Sequence, residues 1–172
     1  GTAVMTKGYS TDNYTDWAVD YISGKNRDAS KPFYLWLCYG AIHGPTTPAD
    51  RHKGTLKGNS AEVPADIVGP WPDKPKYLEN TKSWMIAPDG KPAMIAKARA
   101  KGNFDTLEPG KPFDNWIQQV NECNAAVDEG VGRVMKALED AGLLENTLVV
   151  YSADQGYGLG EHGFNQKVAP YD

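Results

Sequence analysis

Two apolar runs of strand length in this chain each stop at a polar residue boxed by glycine, and that repeated ending limits the folds open to it. The first, Phe33-Tyr34-Leu35-Trp36-Leu37-Cys38-Tyr39, gives way to Gly40-Ala41-Ile42-His43-Gly44-Pro45. The second, Leu148-Val149-Val150-Tyr151, gives way to Ser152-Ala153-Asp154-Gln155-Gly156. Runs that are apolar on both alternating faces predict strands covered on two sides, as in a parallel sheet, and α/β proteins put their chemistry at the carboxyl ends of such strands.

The local chemistry of the two endings differs. A carboxylate at Asp154 beside an amide oxygen at Gln155 suits a hard divalent cation, which takes several oxygen ligands. Two oxygens do not complete a shell, and the same three residues also read as a plain turn with Gly156 at positive φ. An imidazole at the end of a strand suits a general acid or base, although a lone histidine is commonly just a hydrogen-bonded polar group. His52 reads as solvated, and His162 as a weak candidate to support Asp154. Downstream, Gly158-Leu159-Gly160-Glu161-His162-Gly163 has the spacing of a dinucleotide-binding fingerprint. It lacks the helix and the acid some twenty residues on that such a site needs.

The chain has 172 residues, enough for one domain with a real core. A net charge of -4 gives no electrostatic case for a nucleic-acid partner. No apolar stretch approaches the roughly 18 to 20 residues needed to cross a bilayer, and the first residues lack a signal-peptide layout. Cys38 and Cys123 make no disulfide framework and read as small buried hydrophobes. The start at Gly1 and the end at Asp172 both have the look of a cut in a longer polypeptide.

Between the runs, residues 11–22 place Tyr14, Trp17, Ala18, Tyr21 and Ile22 at helical spacing, with Thr11 or Asp12 to cap the start and Gly24 to end it. Residues 46–112 are dense in proline, which excludes an uninterrupted helix or central strand. Residues 93–101 have the pattern of one short helix. So long a connection reads as an excursion walling a site and shaping substrate choice, anchored by Trp71, Tyr77, Trp84 and Phe104, with a disordered insertion as the alternative. From Asp114, placed as a cap, a helix is expected to about Ala141, with Trp116, Val120, Cys123, Val127, Val131, Val134, Met135 and Leu138 on one side and Gly142 as terminator. A helix followed by a short loop and a strand is half of a crossover unit, so the fold class is α/β with parallel strands.

These motifs together resemble the sulfatases of the alkaline-phosphatase-like superfamily, from about residue 11 to the end. The resemblance rests on Lys31-Pro32-Phe33-Tyr34-Leu35 leading to Ala41-Ile42-His43-Gly44-Pro45, and on Val127-Asp128-Glu129-Gly130-Val131-Gly132-Arg133 in the long helix. It rests further on Asn146-Thr147 leading through the second run to Asp154-Gln155-Gly156, and on Leu159-Gly160-Glu161-His162-Gly163. It implies an α/β/α sandwich around a parallel sheet, present only in part, with residues 46–112 as the region that selects substrate.

Carried over position by position, the resemblance makes Asp154 a ligand of the active-site cation, calcium or else magnesium. Gln155 stands where many relatives have asparagine or histidine, and its oxygen reaches one methylene further. His43 corresponds to the histidine that assists the departing alcohol oxygen and Lys167 to the lysine that contacts the sulfate, so both are implied catalytic and substrate-binding residues. The implied substrate is a sulfated small molecule or glycan. The family expectation for location is periplasmic, secreted or lysosomal.

The chain departs from the family in one large respect. Sulfatases attack with a formylglycine made in a Cys/Ser-x-Pro-x-Arg segment and bind the cation with a further pair of acids. Neither is found here, since Cys38 and Cys123 lack that context. The expectation is the middle and later part of a catalytic domain, inactive alone, whose remainder supplies the nucleophile and the other ligands. Phosphomonoesterases, phosphodiesterases and phosphonate hydrolases share the metal logic, and a non-catalytic module that binds sulfated glycans is the alternative outside enzymes.

Overall fold

The computed structural model describes residues 5–59, 61–76, 83–95, 110–165 and 167. It divides into two compact units, one made of Gly1–Thr55 and Val120–Val150, the other of Leu56–Gln119 and Tyr151–Asp172. Secondary structure comprises α1 (Ser10–Ile22), a hairpin of β1 (Trp84–Ile86) and β2 (Pro92–Met94), and α2 (Phe113–Asp140), with short 3-10 turns at Leu144–Asn146 and Glu161–Gly163.

In the first unit α1 buries Thr11, Thr15, Ala18 and Ile22, a stripe at spacings of four, three and four. Two threonines thus take positions expected of apolar residues, and Trp17 is exposed, tilted against Tyr14 at 5.6 Å. The Thr15 hydroxyl donates to the Thr11 carbonyl at 2.8 Å and accepts from the Tyr39 phenol at 2.9 Å, so it is buried without cost to its hydrogen bonding. The predicted cap by Thr11 or Asp12 is not formed: Tyr9 is the N-cap residue and no side chain caps the first turn. At the other end Gly24 adopts φ 96°, as expected of a terminator. Arg27 completes that end, donating through Nε to the Tyr21 carbonyl at 2.7 Å and through Nη2 to that of Ile22 at 3.0 Å. Its guanidinium also lies 4.9 Å above the Phe33 ring.

Helix α2 follows the expected periodicity, burying Phe113, Trp116, Val120, Cys123, Ala126, Val127, Ala137 and Leu138. Gly142 ends it at φ 66°, with the Leu143 amide bonded back to the Leu138 carbonyl at 2.9 Å. Ile22, Ala137 and Leu138 form a buried cluster against which Val19, Phe33, Leu35, Val134, Met135, Leu143 and Leu144 pack.

The two apolar runs correct the sequence reading. Among the described residues neither run has a ladder partner, so no parallel pair forms there. Residues 33–39 alternate: Phe33, Leu35, Leu37 and Tyr39 are half-buried, whereas Tyr34 and Trp36 are 83% and 78% exposed. Leu148 and Val150 are likewise 90% and 76% exposed. The helices cover one face of the first run, and no described residue covers the other. Cys38 is therefore exposed, not buried, while Cys123 is buried as expected.

The second unit is built on its hairpin. Trp84 pairs with Met94 and Ile86 with Pro92 in an antiparallel register, so the proline sits at the first position of a strand, where a missing N–H is tolerated. Trp84 is 0% exposed and packs edge-on to Phe113 at 5.3 Å and tilted on Trp116 at 5.3 Å. Residues 92–94 thus form a strand, where the sequence reading began a short helix at 93. Residues 96–101 of that helix, and Tyr77 and Phe104, lie outside the described residues.

Candidate active site

The tip of the first run belongs to the first unit. His43 is exposed, and its Nδ1 lies 3.0 Å from the Gly44 carbonyl. A carbonyl only accepts, so Nδ1 carries the proton and Nε2 is the ring atom left to act outward. The chain beyond it is pinned: the Tyr9 phenol donates to the Thr47 carbonyl at 3.1 Å, and burial pushes that phenol up to about 12.

Arg51 then forms a bidentate pair with Asp12 of α1, both bonds 2.8 Å, and reaches Glu129 of α2 at 2.7 Å. The guanidinium holds both carboxyls below their ordinary range, and they hold it above its own. His52, read from sequence as solvated, is instead 13% exposed with Nε2 3.1 Å from Glu129. This network was not foreseen, because only folding joins Arg51 to partners 39 and 78 positions away; Arg133, on the next turn of α2, reaches Asp16, 117 positions away, at 2.5 Å.

The tip of the second run belongs to the second unit. Asp154 and Gln155 are exposed at a bend, and Gly156 takes φ 107°, as a turn there requires. Lys167, thirteen positions beyond Asp154, is half-buried. Between them the chain makes a tight turn in which Gly160 has φ 111°, His162 φ 50° and Gly163 φ 76°. The dinucleotide spacing therefore corresponds to a 3-10 turn without a following helix among the described residues.

That turn rests on the excursion. A β-carbon at Gly160 would lie 2.9 Å from Phe113 and 3.2 Å from both Ile67 and Pro64; one at Gly163 would lie 2.5 Å from Trp71. His162 donates its amide to Asp66 at 3.1 Å and pairs through Nδ1 with the same carboxylate, while the Trp71 indole donates to the Asp66 carbonyl at 2.7 Å. Ser83 donates its amide to the Gly163 carbonyl at 3.2 Å and its hydroxyl to Asn165 at 3.0 Å, and the Trp84 indole donates to the Phe164 carbonyl at 3.2 Å. Sequence reasoning missed Asp66, which lies in an unremarkable Pro64-Ala65-Asp66 stretch far from its partner.

Asp154 and Gln155, consecutive in the chain, offer a carboxylate and an amide oxygen as ligand atoms, a donor set that fits part of the shell of a hard cation. Among the described residues, no three of His, Cys, Asp and Glu converge on one point. The remaining ligands would come from other residues. His43 stands in one unit, and Asp154, Gln155 and Lys167 stand in the other.

A sulfatase family profile matches residues 2–172. The chain is 27% identical over 212 aligned residues to an N-acetylglucosamine-6-O-sulfatase of Bacteroides thetaiotaomicron, covering all of this chain and 38% of that protein. It is 28% identical over 163 residues to an extracellular sulfatase of Drosophila melanogaster, covering 90% of this chain and 13% of that one. Among solved structures it matches, with a TM-score of 0.75 at 24% identity, a protein bound to its substrate D-glucosamine-2-N,6-O-disulfate, over 96% of this chain and 41% of that one. The chain thus spans well under half the length of these relatives. No helix among the described residues is long and apolar enough to cross a membrane.

Proposed function

The chain belongs to the sulfatase family and takes part of its alkaline-phosphatase-like α/β fold, and from that premise we propose that it carries the leaving-group side of the active centre of a sulfate ester hydrolase. The observation that carries the proposal is the state of His43: exposed, with Nδ1–H committed to its own loop, so that Nε2 is the ring nitrogen left outside that bond. Asp154 and Gln155 would hold a divalent cation, calcium by preference, which when bound neutralises charge on the sulfate oxygens. Lys167 adds a compact positive charge to those oxygens as the S–O bond lengthens. His43, protonated at Nε2, gives that proton to the departing oxygen so that no bare alkoxide leaves.

The formylglycine nucleophile and the other cation ligands would be supplied by the remainder of the catalytic domain. Two observations support that division: the uncovered apolar face of residues 33–39 and 148–150, and the 38% of a relative's length that this chain spans. Residues 46–112 would wall the site and select substrate, supported by the packing of Pro64, Ile67, Trp71 and Ser83 against the turn that follows Asp154. A sulfated sugar is the proposed substrate class.

The experiment is hydrolysis of glucosamine 6-O-sulfate and of a chromogenic aryl sulfate by the full-length protein and by residues 1–172 alone. Calcium-dependent sulfate release by the full-length protein, lost in Asp154→Ala and absent from residues 1–172, is the expected result. Turnover of the matching aryl phosphate but of neither sulfate, or binding of sulfated glycan without turnover, would replace the reading by a phosphoryl hydrolase or a binding module respectively.

A further inference from the structure

We propose that Asp66 is a positioning residue for the loop that runs from Asp154 to Lys167, acting through His162; the inference rests on the functional reading above. Several observations converge on it. His162 holds a left-handed backbone conformation, φ 50°, that residues other than glycine adopt infrequently. Asp66 holds it from two directions, taking the His162 amide on Oδ1 at 3.1 Å and the ring Nδ1 on its other oxygen. Asp66 is itself held, because its carbonyl accepts the Trp71 indole N–H at 2.7 Å, and Trp71 is the ring against which Gly163 packs.

The clamp has close neighbours on both sides. Before it, the Glu161 carboxylate accepts the Leu159 amide at 2.8 Å. After it, the Gly160 amide donates to the Phe164 carbonyl at 3.0 Å, and Ser83 holds Asn165. The chain is therefore fixed from Leu159, five residues past Asp154, to Asn165, two residues before Lys167. That span makes up most of the chain between the proposed cation ligands and the proposed sulfate-binding lysine, and so bears on the distance between them. Asp66 lies in the excursion, so the segment proposed to choose the substrate also sets the machinery that acts on it. A positioning group of this kind is felt in turnover, since misplacement of about 1 Å at a reacting centre costs on the order of a hundredfold.

The test compares Asp66→Asn and Asp66→Ala with wild type in the full-length protein. Amide exchange at His162 and Gly163 reads the clamp with no need for catalysis; about tenfold faster exchange is expected in Asp66→Ala, with Asp66→Asn between, from loss of a charge-assisted hydrogen bond. Terbium luminescence, with terbium standing for calcium, should show half-saturation raised several-fold, and kcat should fall more than KM rises. Unchanged exchange in Asp66→Ala overturns the clamp. Faster exchange with unchanged terbium binding and unchanged kcat overturns the positioning role. If wild type neither binds terbium nor releases sulfate, the functional reading and the positioning role fall together, while the order of exchange rates still supports or refutes the clamp alone. Should Asp66→Ala not fold, the isosteric Asp66→Asn carries the same comparisons.

Discussion

Gly130 and Thr15 approach so closely that a β-carbon on the glycine would lie 2.6 Å from the threonine hydroxyl oxygen and 2.7 Å from the Tyr39 phenol. Gly130 is thus a packing requirement in the middle of a helix, where alanine would otherwise be favoured by about 1 kcal/mol. Thr15 cannot turn aside without losing its bond to the Thr11 carbonyl. Overpacking costs about 1–3 kcal/mol and should win, so Gly130→Ala is expected to lower stability in urea denaturation. Adding Thr15→Ala should recover part of the loss; strict additivity of the two substitutions would refute the contact.

Arg51 makes stability depend on pH in a definite direction. Asp12 and Glu129 both titrate lower in the folded protein than in the unfolded chain, chiefly through hydrogen bonds from Arg51. Their contribution is complete above the ordinary carboxylate range and is lost as pH falls through the depressed values. These groups are a third to a half exposed, so the effect at neutral pH is small. Arg51→Met should flatten the acid limb of a plot of denaturation midpoint against pH; an unaltered slope would show that the network carries no linkage.

Trp84 is the centre of the second unit, wholly buried between Phe113 and Trp116. Trp84→Ala should cost about 3–5 kcal/mol, and in circular-dichroism melts of the full-length protein the near-ultraviolet aromatic signal should be lost first. Trp17→Ala, at an exposed position of α1, is the matched control and should change little.

His43→Ala should reduce kcat/KM by about 10²–10⁴ for a sugar sulfate, whose alkoxide leaves poorly, by removing the proton donor. For an activated aryl sulfate, whose phenolate leaves readily, the loss should be far smaller. Equal losses for both leaving groups would show that His43 binds sulfate without acting as the acid.

The two thiols provide a check on the uncovered face. In residues 1–172 a disulfide exchange reagent should react promptly with exposed Cys38, and with Cys123 only on unfolding, since Cys123 is buried and burial pushes its thiol up. In the full-length protein Cys38 should become protected as well. Equal reactivity in both forms would count against the remainder of the domain covering residues 33–39.

The helices were legible because their evidence is local. Gly24 and Gly142 stop α1 and α2 where an unconstrained φ is needed, and the stripe from Trp116 to Leu138 declares its buried face by spacing, although the start of α2 lies at Phe113, one residue before the expected cap Asp114. The places of Asp154 and His43 after apolar runs were legible for the same reason. The runs themselves were misread as covered on both faces, because alternation in sequence says which residues share a face but not whether anything lies against it. Phe33 and Leu35 are packed while Tyr34 and Trp36 are not, though all four are large side chains in one run.

By itself, then, the sequence determined the helical segments, the polar tips of the apolar runs and the family likeness, all of which depend on residues close together in the chain. Only the tertiary structure decided that Asp66 seizes His162, that Arg51 ties Asp12 to Glu129, and that residues 92–94 form a strand beside β1. Each of these depends on which distant groups meet. Hydrogen bonds and ion pairs act over a few ångströms, and no local pattern encodes which residues the rest of the fold will bring within that range.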